Sequence, residues 1–160
     1  MKKNSFINQI LWLLCYVSLL LLYVFELSKS DFFKVSIQDL EKIFGQTTLN
    51  IRLFLIIISV VFSVISLLVE YFLSKFLVLL FVKAGTVSFI DVIIAKLVVL
   101  VINFFALLLM LPVTSFCQFL INTLGIFIMY LLSIKRQGKK VTAILFCLPF
   151  IADILITLIL

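Results

Sequence analysis

Three ionisable residues, Glu70, Lys96 and Asp153, fall within or at the edges of long apolar runs of this chain. A charge so placed can pair with an opposite charge, border a water-filled path or hold a ligand, because an isolated charge in hydrocarbon is costly. Hydroxyl and amide groups accompany them at helical spacing. Ser59, Ser63, Ser66, Glu70 and Ser74 fall within about 80° of one another when successive residues turn by ~100°. Gln118, Asn122, Gly125 and Ser133 do the same, as do Thr142, Pro149, Asp153 and Thr157. Each set draws one polar face on an apolar helix. Such faces let helices approach and bond to each other, at ~0.6 kcal/mol per bond on average, or they border a hydrated path or pocket.

Glu70 has two positions open to it. If the hydrocarbon boundary falls just after Val69, then Glu70, Lys75 and Lys96 all sit at the membrane surface, and residues 71–95 form an apolar hairpin there. If residues 53–82 are one tilted helix, Glu70 is buried and needs a partner. In a hairpin turning at 85–87, Glu70 lies level with Asn103, and Lys96 shares the face of Asn103 two turns away. The expectation is then that Glu70 meets Asn103 and Lys96 between the second and third helices, while Lys75 points away and snorkels. Asp153 follows Pro149 by four residues, and Pro149 removes the donor for the carbonyl of Leu145, so a kink is expected there.

Enzyme chemistry finds little here. The chain has no His, no paired acids at metal-ligand spacing, no glycine-rich phosphate loop and no Ser in a nucleophile elbow. Cys15, Cys117 and Cys147 stand in apolar surroundings at unrelated spacings and read as small hydrophobes. No enzyme activity, cofactor or metal is expected. Nucleic acid is not an expected partner either, because no soluble basic patch with interleaved aromatics exists.

The elements that carry these residues follow from composition. The chain has 160 residues, of which 66% are hydrophobic and 12% charged, with a mean hydropathy of +1.42. A soluble domain of this size needs far more polar surface, so the bilayer is the expected surrounding. Charges then act as punctuation. Lys2 and Lys3 precede a first span at about 6–25, read as a retained signal anchor because Leu20, Leu21, Leu22 and Tyr23 offer no small-residue cleavage site. A mixed segment at 26–52 holds four basic and four acidic residues. A second span covers about 53–82, and Gly85 marks a stop. Ser88 and Asp91 then have the spacing of an N-cap and a first-turn acid, which starts a third span at about 89–111. Pro112, Thr114 and Ser115 mark a turn before a fourth span at about 116–134. A basic loop at 135–140 leads to a fifth at about 141–160. The fold class expected is therefore all-α and polytopic, five transmembrane helices in a single membrane domain, 1–160.

Orientation follows from the bias of Lys and Arg. Lys2, Lys3, Lys83 and the basic loop share one side, whereas the basic residues of 26–52 are offset by acids. The positive-inside rule places the N-terminus in the cytoplasm and the C-terminus outside. Within the external segment, Ser36 and Asp39 again have N-cap spacing, Gly45 is a stop, and Ile37, Leu40, Ile43 and Phe44 line one face. This reads as a short amphipathic helix on the outer leaflet, anchored by Phe32 and Phe33, or as a protein-binding helix.

Two stretches carry a family resemblance. Residues 79–89, Leu-Leu-Phe-Val-Lys-Ala-Gly-Thr-Val-Ser-Phe, and the basic loop of Leu131 to Lys135 with Lys139 to Ala143 resemble the Yip (Ypt-interacting protein) family of multi-span membrane proteins. The resemblance covers about 53–160 and implies the same five-span plan. The turn reads Lys-Ala-Gly-Thr-Val-Ser-Phe where the family has a denser glycine pattern. It implies no catalytic residue, and the abundance of Phe, Ile, Leu, Lys and Asn suggests an AT-rich bacterial genome, so a GTPase partner is not carried over. The function expected is that of a non-enzymatic accessory or scaffold protein of the cell membrane, joined to a membrane-protein partner or to its own copies. The rival is a small transporter or permease subunit, or a bacteriocin-immunity-type protein.

Overall fold

A computed structural model of the chain describes residues 2–30, 48–82, 87–111 and 114–159. These residues form five α-helices and, among them, no strand: α1 (Lys2–Leu27), α2 (Thr48–Phe81), α3 (Phe89–Leu108), α4 (Ser115–Gln137) and α5 (Lys140–Ile159). Four of them, α1 to α4, are long and apolar enough to cross a membrane. The external helix expected within 26–52 lies outside the described residues, as does the Lys83 to Thr86 part of the turn.

Neither α1 nor α2 contains Gly or Pro, so nothing interrupts either ladder. The 34 residues of α2 extend ~51 Å as one helix, well beyond a ~30 Å hydrocarbon core. The helix is continuous through Val69 and Glu70, and Glu70 is buried against the rest of the bundle. In α5, Pro149 is accommodated without a break.

The ends of α3 and α4 follow different rules. At the start of α3, Ser88 has the extended backbone of an N-cap, yet its side chain makes no capping bond. The helix stops at Leu108, three residues before the expected end. Met110 N–H donates to Leu107 O and Leu111 N–H to Ala106 O, and Met110 adopts φ 50° between them. These two bonds are a Schellman motif with Met in the left-handed position usually held by Gly, which is why residue type did not announce it. By contrast, α4 begins on Thr114, whose hydroxyl accepts from Cys117 N–H at 3.3 Å, and ends on Gly138 at φ 67°. The last turn of α4 extends past residue 134 into the basic loop, where Lys135 and Arg136 face the negative end of the helix dipole favourably.

The helices close a circuit in the order α1, α3, α4, α5, α2 and back to α1. Although consecutive, α2 and α3 touch only lightly, since α1 and α5 each pack against α2. From α1, Tyr16, Leu20 and Val24 are buried, one residue per turn, and Ser28 just past its end continues the row. Leu67, Val78, Val92, Ile93, Met129 and Phe146 are enclosed by the bundle. Large apolar side chains such as Phe54, Phe62, Phe72 and Phe76 cover the outside of α2.

Candidate functional site

Glu70 is the acid on the buried edge of α2, and Lys96 reaches it from α3. Lys96 Nζ lies 2.8 Å from Glu70 Oε2 and donates to Oε1 at 3.2 Å, and Ser66 Oγ, one turn before Glu70, donates to Oε1 at 3.3 Å. The Glu70 side chain is 9% exposed and that of Lys96 31%, so the carboxylate carries most of the desolvation and the ammonium keeps an outlet. Tyr16 on α1 stands within electrostatic reach of the same carboxylate. The Phe150 ring of α5 lies 5.4 Å from Lys96 Nζ, a cation–π distance. Lys96 is thus the point at which α2, α3 and α5 meet.

The expected pairing of Glu70 with Lys96 is present, and the expected contact with Asn103 is not. Asn103 is buried, but among the described residues no hydrogen bond joins it to Glu70. Glu70 is matched two turns short of Asn103 because α2 and α3 do not form a close parallel hairpin. Their contact is made by long side chains, with the Tyr71 and Phe89 rings 4.9 Å apart beside the ion pair.

Next to the ion pair, α3, α4 and α5 enclose a cavity of about 60 Å³. Its polar wall is Lys96, Asn122 and Asp153; Ala95, Val99, Gly125, Ile126, Met129, Phe150 and Ile154 complete it. On α4, Asn122 and Gly125 belong to the polar face read from the sequence, and Asp153 belongs to that of α5. Gly125 is required by the close approach of α3: a Cβ there would collide with Val99 Cγ2. Polar faces from two helices and the charge from a third therefore converge on one space. Asp153 stands at its exposed rim. The volume suits a few water molecules, since one needs roughly 10–15 Å³ by this measure.

A second ion pair joins Arg136 and Asp91. Arg136 donates through Nη2 to Asp91 Oδ1 at 2.8 Å, bridging the last turn of α4 to the first turn of α3. Asp91 is 1% exposed and Arg136 48%. In the sequence Asp91 reads as a first-turn acid and Arg136 as a cation of the basic loop, so neither calls for the other as a partner. The available signal was their common level: both fall where apolar runs meet the side rich in Lys and Arg. Ser74, Ser133 and Thr142 are also fully enclosed and have hydroxyls without a hydrogen-bond partner.

The remaining polar residues take plainer positions. Ser63 donates to Ser59 O at 2.9 Å within α2, and both serines are half-buried. Ser66 is exposed apart from its bond to Glu70, and Gln118 is half-buried near the start of α4. Lys75 is exposed on the outer surface of α2, away from Glu70 and Lys96. The side chain of Thr157 lies outside the described residues. Cys15 and Cys117 are exposed, Cys147 is buried, and none is in a disulfide. No group of His, Cys, Asp and Glu among the described residues could hold a metal ion. No family model matches the chain, and neither the curated proteins nor the solved structures contain a match to it.

Proposed function

We propose that this chain is a multi-pass protein of a bacterial cytoplasmic membrane that works as a non-enzymatic accessory or scaffold protein, associating with other membrane proteins or with its own copies. The observation that carries this reading is the internal pairing of charge. Glu70 is matched by Lys96 and Asp91 by Arg136, each across two helices, while the outward face of α2 is largely apolar, with Lys75 exposed on it. Charges locked in this way hold helices in register. In this reading α5 is the fifth span, its 20 residues covering ~30 Å, which places the N-terminus in the cytoplasm and the C-terminus outside by the bias of Lys and Arg. The same plan is that of the Yip-like architecture. Affinity purification of the tagged chain in mild detergent, followed by mass spectrometry, tests the reading: a stoichiometric membrane partner or a stable homo-oligomer is expected.

A second reading, a small transporter or permease subunit, is favoured by the polar cavity between α3, α4 and α5. Its mark would be solute or proton flux in liposomes containing the chain alone, with no copurifying partner. An immunity-type role would instead show as protection of cells from a membrane-directed toxin. Reporter fusions at the N-terminus, the basic loop and the C-terminus test the orientation: a cytoplasmic signal at the first two and an external one at the third are expected.

A further inference from the structure

We infer that the end of the α3–α4 hairpin opposite the basic loop is held among lipid acyl chains rather than in water. Leu108, Leu109, Met110, Leu111 and Phe116 are all exposed there, and Met110 is 92% exposed, so the bundle itself buries almost none of it. Met110 also stands at φ 50°, a backbone position that Gly fills without strain. In water this end would gain nothing from a strained and uncovered apolar residue, whereas in lipid the whole side chain leaves water. The inference rests on the reading of the chain as a multi-pass membrane protein.

Helix length sets the depth. The Asp91–Arg136 pair, with exposed Lys135, Lys139 and Lys140 beside it, marks the headgroup level at the basic-loop end. At 1.5 Å per residue, Asp91 to Leu108 covers ~26 Å and Arg136 back to Ser115 covers ~32 Å. Both match a hydrocarbon core of ~30 Å, which leaves no length to lift the hairpin end into water. The far longer α2 has that length. Between Lys96 and Lys135 the sequence also has no charge that would hold this end at the surface. Where water is absent, backbone groups must be satisfied internally. Leu109 N–H donates to Phe105 O at 3.0 Å, Met110 and Leu111 N–H close the Schellman motif, and Cys117 and Gln118 N–H both donate to Thr114. These bonds let the end enter lipid without stranding those donors. Phe105 on α3 and Leu120, Leu124 and Phe127 on α4 carry the exposed apolar surface along the same two helices, so the lipid that covers their flanks also reaches their end.

The test uses the full chain in liposomes of zwitterionic phospholipid, with a single cysteine per variant and the other native cysteines replaced by Ala. A fluorescent probe is attached through Met110→Cys, through Phe127→Cys on the exposed flank of α4, and through Lys139→Cys in the basic loop. Quenching by phospholipids brominated on their acyl chains is compared with quenching by iodide present on both sides of the bilayer. The expected result is that brominated lipid quenches the probes replacing Met110 and Phe127, and iodide the probe replacing Lys139. Iodide reaching the Met110 position as it reaches the Lys139 position overturns the inference, because the end then stands in water. Neither quencher reaching the Met110 position also overturns it, because protein then covers the end. The membrane reading fails separately, since the probe replacing Phe127 would then escape the brominated lipid. If Met110→Cys does not fold, native Cys117, exposed at the same end, decides. Its reaction with a charged maleimide is expected to be at least about tenfold slower than that of Lys139→Cys, because hydrocarbon excludes charge. Equal rates overturn the inference.

Discussion

Among the described residues, the two ion pairs that join different helices solve the same problem in opposite places. Lys96 and Glu70 meet inside it, beside the cavity, where both partners are largely covered. Arg136 and Asp91 meet at the end of the bundle near the basic loop, where a fully enclosed acid is reached by a half-exposed base. In both, the carboxylate is the buried partner and the long cationic side chain makes the approach, because Lys and Arg can cover apolar surface with their stems while their heads retain polar company. The cost of deleting a partner should therefore depend on which charge is left behind. Removing the base strands a desolvated acid, whereas removing the acid leaves a base that can turn elsewhere.

The largest effect is expected for Arg136→Met, which leaves Asp91 enclosed and unpaired; a loss of about 3–5 kcal/mol should appear in unfolding titrations in mixed micelles. Next is Lys96→Met, which strands Glu70 at a cost near about 3 kcal/mol, whereas Glu70→Gln should lose roughly half as much because Lys96 is 31% exposed and has Asp153 nearby. Equal losses for these two variants would break the asymmetry between acid and base. Between the pairs lies the α3–α4 contact. Gly125→Ala drives a Cβ into Val99 and should cost about 1–3 kcal/mol. Most of that should return in the double variant with Val99→Ala, read by the same titration. At the opposite end of α3, Met110→Gly relieves the left-handed position at φ 50° and should stabilise by about 1 kcal/mol, visible as a raised thermal midpoint. Lys75→Gln, on the exposed side of α2, should change stability by less than about 0.5 kcal/mol.

Much of this architecture is legible in the sequence because charge is so scarce that apolar runs mark the helices directly. Thr114 and Gly138 stand where capping chemistry places them, and the helix ends fall close to the residues read from charge and turn signals. The end of α3 is different: the Schellman geometry at Met110 depends on how the chain leaves the bundle, and Met carries no turn signal. In the candidate site, helical spacing brings Glu70, Asn122, Gly125 and Asp153 onto inward edges, and the link between Glu70 and Lys96 follows from the need of a buried charge for a partner. Asn103 misled because level along an assumed hairpin is not contact: α2 and α3 are kept apart along most of their length, so only long side chains span the gap. Arg136 and Asp91 were hidden by their alternative uses, one as a loop cation and the other as a helix-start acid, each of which explained the residue without a partner.

The most direct measurement is a double-mutant cycle on Glu70 and Lys96 in a membrane-like environment, comparing Glu70→Gln, Lys96→Met and the double variant. A buried pair that holds α2 against α3 gives a double variant less destabilised than the two single losses combined, with an interaction energy of about 1–3 kcal/mol. Strictly additive losses would contradict it, showing that the two charges act independently.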